Sequence, residues 1–253
     1  MYGIQKAGML KRISAFLLDF ILMTIAVTGF AFLISTITGR ENYVDKMNER
    51  KEFYEEKYTV DFDISEEDYN KLDENERKHI DDAYVEYRRD EEYLYAFNMQ
   101  ANLTLIMITF SLLLSYVILE LVLPIIFGNG QTVGKKVFSI GIVHVNAVRL
   151  TGLGLFTRTM LGKYTVETMI PVILLMMVLF GGGGITGLLV LGLLLILELF
   201  TFFKNGQNTP IHDVLAHTVC VDLSVQQIYA DEQELIKHKE RLHAEQVQDS
   251  EYS

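Results

Sequence analysis

The sequence predicts an all-α membrane protein with four transmembrane helices and a helical, acidic extracellular insert between helices 1 and 2. Three observations carry this. Apolar residues gather into long runs, 13–37, 97–127 and most of 166–203, and about 20 residues suffice for a helix to cross a hydrocarbon core roughly 30 Å thick. Charge is sorted between the runs: 39–96 holds 10 Lys and Arg against 20 Asp and Glu, nearly all of the net −11. The segment 128–165 carries five Lys and Arg and no acid. A hydrophobic content of 50% is ordinary for a soluble domain, so the distribution and not the amount points to a bilayer. The division that follows is 1–38 for the amino terminus and first helix, 39–96 for the insert and 97–127 for the second helix. A basic segment over 128–165, a hairpin of two helices over 166–203 and a polar segment over 204–253 complete it.

In the first helix Lys11 and Arg12 precede an apolar run that contains Asp19. A charge at the centre of a spanning helix costs about 2.5–3.5 kcal/mol, so Asp19 is expected to face protein or water and to have a partner. Arg12 lies on the same helix face but two turns away, some 10 Å at about 1.5 Å per residue, so each needs a partner from elsewhere. The run is far longer than the roughly 7–15 residues of a signal-peptide core and lacks a small-residue cleavage site, which makes it a retained anchor.

The insert has helical punctuation. Ser65 followed by Asp68, and Asp73 followed by Glu76, both read as capping boxes. They predict a helix over 42–57, an extended piece over 59–64 and two further helices, the last able to run straight into the second membrane helix. Tyr93, Tyr95 and Phe97 sit at the start of that helix as an interfacial aromatic belt. Basic residues in short loops stay cytoplasmic, and here they flank the start of helix 1 and the end of helix 2. The expected orientation therefore places both termini in the cytoplasm and the insert outside.

Within the basic segment, 135–139 reads as a short helix, 141–145 alternates like a strand, and 154–161 reads as an interfacial helix carrying Arg158. The run 166–180 is short for a crossing and either borrows residues from 163 onward or lies at a slant. Four glycines over 181–184 read as an outer turn, with a broken helix as the sharper alternative. Asn-Gly and Thr-Pro steps mark turns over 205–210. From 224 on the chain is polar and helical in character. Ile228, Leu235 and Leu242 recur every seven residues, too few to establish a coiled coil, and the segment is expected to be a solvated tail.

Three blocks together resemble the RDD family of bacterial multi-pass membrane proteins. Arg12 and Asp19 match the arginine and first aspartate. The stretch GQTVGKK over 130–136 is similar to the family's GQT-x-GK segment, and Arg158 to the arginine after it. HDVLAHTVCV over 212–221 is similar to the closing block and supplies the second aspartate, Asp213, although His217 stands where that block usually has glycine. The resemblance covers about 7–37 and 97–222 and does not extend to the acidic insert. It implies an integral protein of the bacterial cell membrane, for which solute or cation transport is the family's proposed role.

Asp19, Glu120 and Glu198 all fall at comparable depth toward the cytoplasmic ends of their helices. Neighbouring carboxylates in a low-dielectric site raise one another's pKa and share charge with a bound ion, so the three form a candidate cation or proton pathway. Arg12, Asp213 and Arg158 are candidates for a gate or ion pair at the inner end. The alternative is that each acid is tied to a cation such as Arg12, Arg158 or Lys163 in a purely structural network. Lys135, Lys136 and Arg149, with Arg158, suit anionic lipid headgroups.

His212, His217 and Cys220 match no standard zinc spacing, the GxxxxGK[ST] phosphate loop is absent, and no nucleophile arrangement stands out. No cofactor, metal or nucleic-acid partner is expected, and an enzyme is the least supported class. The two functions to be weighed are proton-coupled transport of a cation or small solute, and scaffolding or regulation of another membrane protein through the insert or tail.

Overall fold

Helix α1 (Met9–Thr38) runs 30 residues without interruption and leaves Leu10 81% and Ile37 82% exposed, as expected of a surface that lipid covers. The structure, a computed structural model, describes residues 4–179, 184–204 and 210–251. After α1 come α2 (Arg40–Tyr58), α3 (Glu66–Lys71), α4 (Glu74–Arg89) and α5 (Glu91–Tyr116), the last continuing through a π-helical turn at Val117–Val122 into α6 (Leu123–Phe127). Then follow α7 (Val133–Val137), strand β1 (Ile140–His144) and α8 (Gly152–Phe156), which passes through a π-helical stretch, Thr157–Met169, into α9 (Ile170–Leu179). Helices α10 (Gly184–Lys204) and α11 (Ile211–Leu215), strand β2 (Thr218–Asp222) and helix α12 (Glu232–Glu251) complete the order. Among the described residues, three helical runs are long and apolar enough to cross a membrane: Met9–Thr38, Glu91–Phe127 and Gly152–Val178. The apolar helix Gly184–Phe200 is shorter.

The chain divides into two compact units, Val27–Leu112 and the remainder, Met1–Ala26 with Leu113–Ser253. In the first of these, Tyr54, Tyr87 and Tyr93 form an aromatic core joined by Phe62 and Phe97. Arg50 grips Asp90 through Nε (3.1 Å) and Nη2 (2.5 Å). Asp90 also accepts from the Tyr93 backbone N–H at 2.8 Å and forms a one-residue break between α4 and α5, so the run into the second membrane helix is interrupted there. Asp73 and Glu76 make the reciprocal capping box. Ser65 accepts from the Asp68 N–H, but the Asp68 carboxylate accepts from the Ser65 hydroxyl instead of the Ser65 N–H, its side chain being one methylene shorter than the glutamate of a full box.

The second unit adds one two-stranded ribbon to a chain that is otherwise helical, as expected. β1 and β2 pair antiparallel, from Ile140 opposite Asp222 to His144 opposite Thr218. Side chains alternate across such a ribbon. Ile140, Ile142 and Cys220 pack with Ala7 and Ala15 on one side, and Val143, Val219 and Val221 pack with Ile4 and Ile228 on the other. The amino-terminal segment extends the ribbon: the Ala7 N–H donates to Cys220 O and the Asp222 N–H to Gln5 O, both at 3.1 Å. His217, just before β2, has φ 50°, in the left-handed region that glycine adopts without steric cost. That is a physical reason for glycine in the family pattern.

Three further expectations change. Helix α8 continues without a break to Leu179, so the third crossing starts well before 166, and Arg158 is buried in it at 1% exposure instead of lying at a headgroup surface. The start of the tail is docked, not solvated: Arg149 donates its N–H to Tyr229 O at 2.8 Å, Ile228 packs on the ribbon, and Leu235 is buried. The glycine turn at 181–183, the turn residues at 205–209 and the side chain of Leu242 lie outside the described residues.

Candidate functional site

The site is built where α1, α7, the long π-helical stretch and α11 meet. Asp19 projects from α1 onto α7. Its Oδ2 accepts from the Thr132 hydroxyl at 2.5 Å and its Oδ1 from the Gly134 backbone N–H at 2.7 Å. Thr132 is the residue that caps α7. A side chain at Gly134 has no room, since a Cβ there would lie 2.9 Å from the Asp19 carboxylate carbon and closer still to the Ala15 carbonyl oxygen. The GQTVGKK stretch is therefore the receptor for the first-helix aspartate.

The second aspartate is met by Arg158. Arg158 Nε donates to Asp213 Oδ1 at 2.7 Å, and the Thr218 hydroxyl donates to the same oxygen at 2.7 Å. Burial pushes the Asp213 carboxyl up. The Arg158 charge, helped by His212 and Thr218, outweighs burial and holds it well below the usual carboxylate range. Glu120, 3% exposed in the shorter π-helical turn, pairs with Lys163. The Thr159 hydroxyl donates to the Glu120 carbonyl at 3.1 Å and ties the two π-helical segments together.

The π-helical winding decides which of these groups share a face. At 3.6 residues per turn, Arg158 and Lys163 would point about 140° apart. With bonds spanning five residues, each turn takes one more residue, and groups five apart approach alignment. The Thr168 hydroxyl donates to Lys163 O and the Thr165 hydroxyl to Met160 O, which marks the same five-residue step. Glu167, one turn beyond Lys163, receives α11: the His212 backbone N–H donates to Oε1 at 2.7 Å, and His212 Nδ1 lies 2.7 Å from Oε2. Burial, and after it the Arg158 charge, push the His212 imidazolium down against the pull of Asp213 and Glu167. The neutral ring with its proton on Nδ1 then donates to Glu167.

Helix α11 docks where Gly162 leaves space. A Cβ at 162 would stand 2.7 Å from both Cα and Cβ of His212. Gly162→Ala is expected to push α11 off its seat and destabilise the fold by about 1–3 kcal/mol. Thermal unfolding in detergent checks this, and an unchanged Tm would sink it.

A cavity of about 560 Å³ opens among these elements, lined by Arg12, Asp19, Arg158, Glu167, Glu198 and Asp213 together with neighbouring residues. Of the three carboxylates aligned by depth, Asp19 and Glu198 line this cavity; Glu120 does not, and faces Lys163 instead. Glu198 lies within reach of the Ile211 backbone N–H. Of the three cations suited to headgroups, Lys135 lines the cavity, while Lys136 is exposed with Nζ 3.9 Å from the Phe127 ring centre and Arg149 is exposed near the tail. Among the described residues, His212, His217 and Cys220 do not converge as metal ligands. Thr132, Gly134 and the Glu167–His212 pair are the functional candidates that spacing alone missed. The first two stood inside the GQTVGKK block, which was a usable signal. Glu167 and His212 are 45 residues apart, with no motif linking them.

The sequence pattern of the RDD family matches residues 6–217, and the chain belongs to this family of membrane proteins. No curated protein and no solved structure matches the chain.

Proposed function

We propose that the chain is a transport protein of the bacterial cell membrane that carries a cation or small solute through the cavity and couples that movement to protons at Glu198, Glu167 and His212. The supporting observation is one cavity bordered by titratable groups from α1, the long π-helical stretch, α10 and α11. Ionisable groups within membrane helices mark substrate and proton pathways by default. The shorter helix α10 serves as the fourth crossing. The basic 128–165 segment argues for cytoplasmic termini and an outer acidic insert. In this reading Asp19 fixes α1 at the cavity wall and the Arg158–Asp213 pair closes its inner end, with Arg12 beside it.

The test is flux. Purified full-length protein in liposomes is expected to dissipate a pH gradient, and Asp19→Asn and Glu198→Gln are each expected to reduce that flux to background. Unchanged flux in Glu198→Gln would remove Glu198 from the pathway, and unchanged flux in Asp19→Asn would show that its anchoring of α1 is not needed for transport. A second reading has its own support: residues 27–112 form a separate compact unit with an aromatic core, suited to docking a membrane-protein partner. It expects a co-purifying partner that is lost on deleting 39–96 or the segment after 224; a clean monomer with robust flux counts against it. Neither reading assigns a catalytic role, a cofactor or a nucleic-acid partner. The bilayer itself is the remaining partner, with Lys136 and Arg149 available to anionic headgroups.

A further inference from the structure

We infer that the ligand of this cavity is an anionic amphiphile, its phosphate or carboxylate head held by Arg158 and Lys135 and its acyl chain lying along α1. The inference rests on the transport reading and takes its solute arm over its cation arm.

Two cationic side chains on the cavity wall have donor capacity to spare. Arg158 is 1% exposed and lines the cavity; its Nε is engaged by Asp213, but its Nη1 is buried with no hydrogen-bond partner among the described residues. A guanidinium presents a rigid fork of donors that matches phosphate and carboxylate oxygens. Lys135 lines the same cavity, and its Nζ makes a long 3.4 Å contact to the Thr132 hydroxyl. Burial pushes the Lys135 ammonium below its ordinary value; Glu120 works against that, while Arg158 and Lys163 add to it. An anion placed beside Lys135 and Arg158 relieves this crowding of positive charge.

The carboxylates on the cavity wall are engaged within the protein. Asp19 is held by Thr132 and Gly134, Asp213 by Arg158 and Thr218, Glu167 by His212, and Glu198 lies at the Ile211 N–H. A cation at Asp19, Asp213 or Glu167 would have to displace one of these contacts. An anion meets waiting donors.

The rest of the wall explains the chain. Met9, Ile13 and Phe16 of α1 line the cavity, and all three are also exposed on the apolar surface of α1. The charged end of the cavity is thus continuous with a surface that lipid covers. A small inorganic anion makes no use of such a wall, whereas an acyl chain buries against it.

The full-length protein in dodecyl maltoside tests this with four probes: dioctanoyl phosphatidylglycerol, decanoate, dioctanoyl phosphatidylcholine and inorganic phosphate. Binding is read as a rise in Tm and as an adduct in native mass spectrometry. Phosphatidylglycerol, decanoate or both are expected to bind, and the stronger of the two identifies a membrane lipid or a free fatty acid as the source. Lys135→Gln and Arg158→Lys are each expected to weaken binding about tenfold, the loss of one charge-assisted contact. Should Arg158→Lys fail to fold, Lys135→Gln decides.

Phosphatidylcholine binding as tightly as phosphatidylglycerol would overturn the inference by showing that the chain alone is recognised. Inorganic phosphate giving the same Tm rise would overturn it from the other side. Wild-type affinity in Lys135→Gln would also sink it. No anionic binding with intact proton flux removes this inference and leaves the transport reading standing. Anionic binding without any flux removes the cargo role and with it the transport reading.

Discussion

Asp213→Ala is expected to destabilise the folded chain by about 3–5 kcal/mol, the cost of leaving one member of a buried ion pair without its partner. Arg158 is enclosed, its Nε is engaged by Asp213, and its Nη1 has no hydrogen-bond partner among the described residues, so the variant removes the nearest compensating charge. Thr218 loses its 2.7 Å side-chain acceptor in the same step. Thermal unfolding of the purified protein in detergent measures the effect. The double variant Arg158→Ala/Asp213→Ala is expected to be less damaged than the sum of the single changes, because the stranded charge is gone. A Tm within error of the wild type in Asp213→Ala would show that the pair does not hold α11 in place.

The pH dependence has a defined sign. The folded-state pKa of Asp213 lies below its unfolded value of about 3.9, so the folded state favours the charged form. Its contribution is fully present above the unfolded value and is lost as pH falls through the folded one. The stability gap between wild type and Asp213→Ala is therefore expected to stay constant from pH 7 down to about pH 5 and to narrow only in stronger acid. A gap that closed near neutrality would mean that a different group controls the pair.

Gly134→Ala is the second large effect, about 2–4 kcal/mol, combining overpacking with the weakening of a charge-assisted hydrogen bond. The new methyl would meet the Asp19 carboxylate and the Ala15 carbonyl oxygen, so α7 must back away from α1 and the 2.7 Å bond from the Gly134 N–H must lengthen. Asp19→Ala breaks the same joint from the other side and is expected to cost about 1.5–3 kcal/mol, the range for hydrogen bonds to charged groups. Because both changes cut one contact, their combination is expected to fall well short of additivity. Full additivity in thermal unfolding would show that Gly134 and Asp19 act independently.

The hydrophobic runs, the sorting of charge and the helix caps are local properties of the chain, and they were legible because burial in lipid and capping depend on residues close in sequence. Arg12, Asp19, Arg158 and Asp213 could be singled out for the same reason: an ionisable group in or beside an apolar run is conspicuous wherever its partner lies. Even β1 showed its alternation, although its partner β2, 78 residues away across the pairing of Ile142 with Cys220, did not.

The tertiary structure alone decided which group each charge meets. Asp19 is held by Thr132 and Gly134, 113 and 115 residues away. Glu120 turned out to belong with Lys163 and not with Asp19 and Glu198. Spacing on a regular helix would also have set Arg158 and Lys163 on different faces, because only a π-helical winding brings positions five apart toward one side. By itself, then, the sequence determined that the chain lives in a membrane and which ionisable residues are anomalous there. Their pairing depends on contacts between distant segments and on the pitch of one helical stretch, neither of which is a local property of the residues involved.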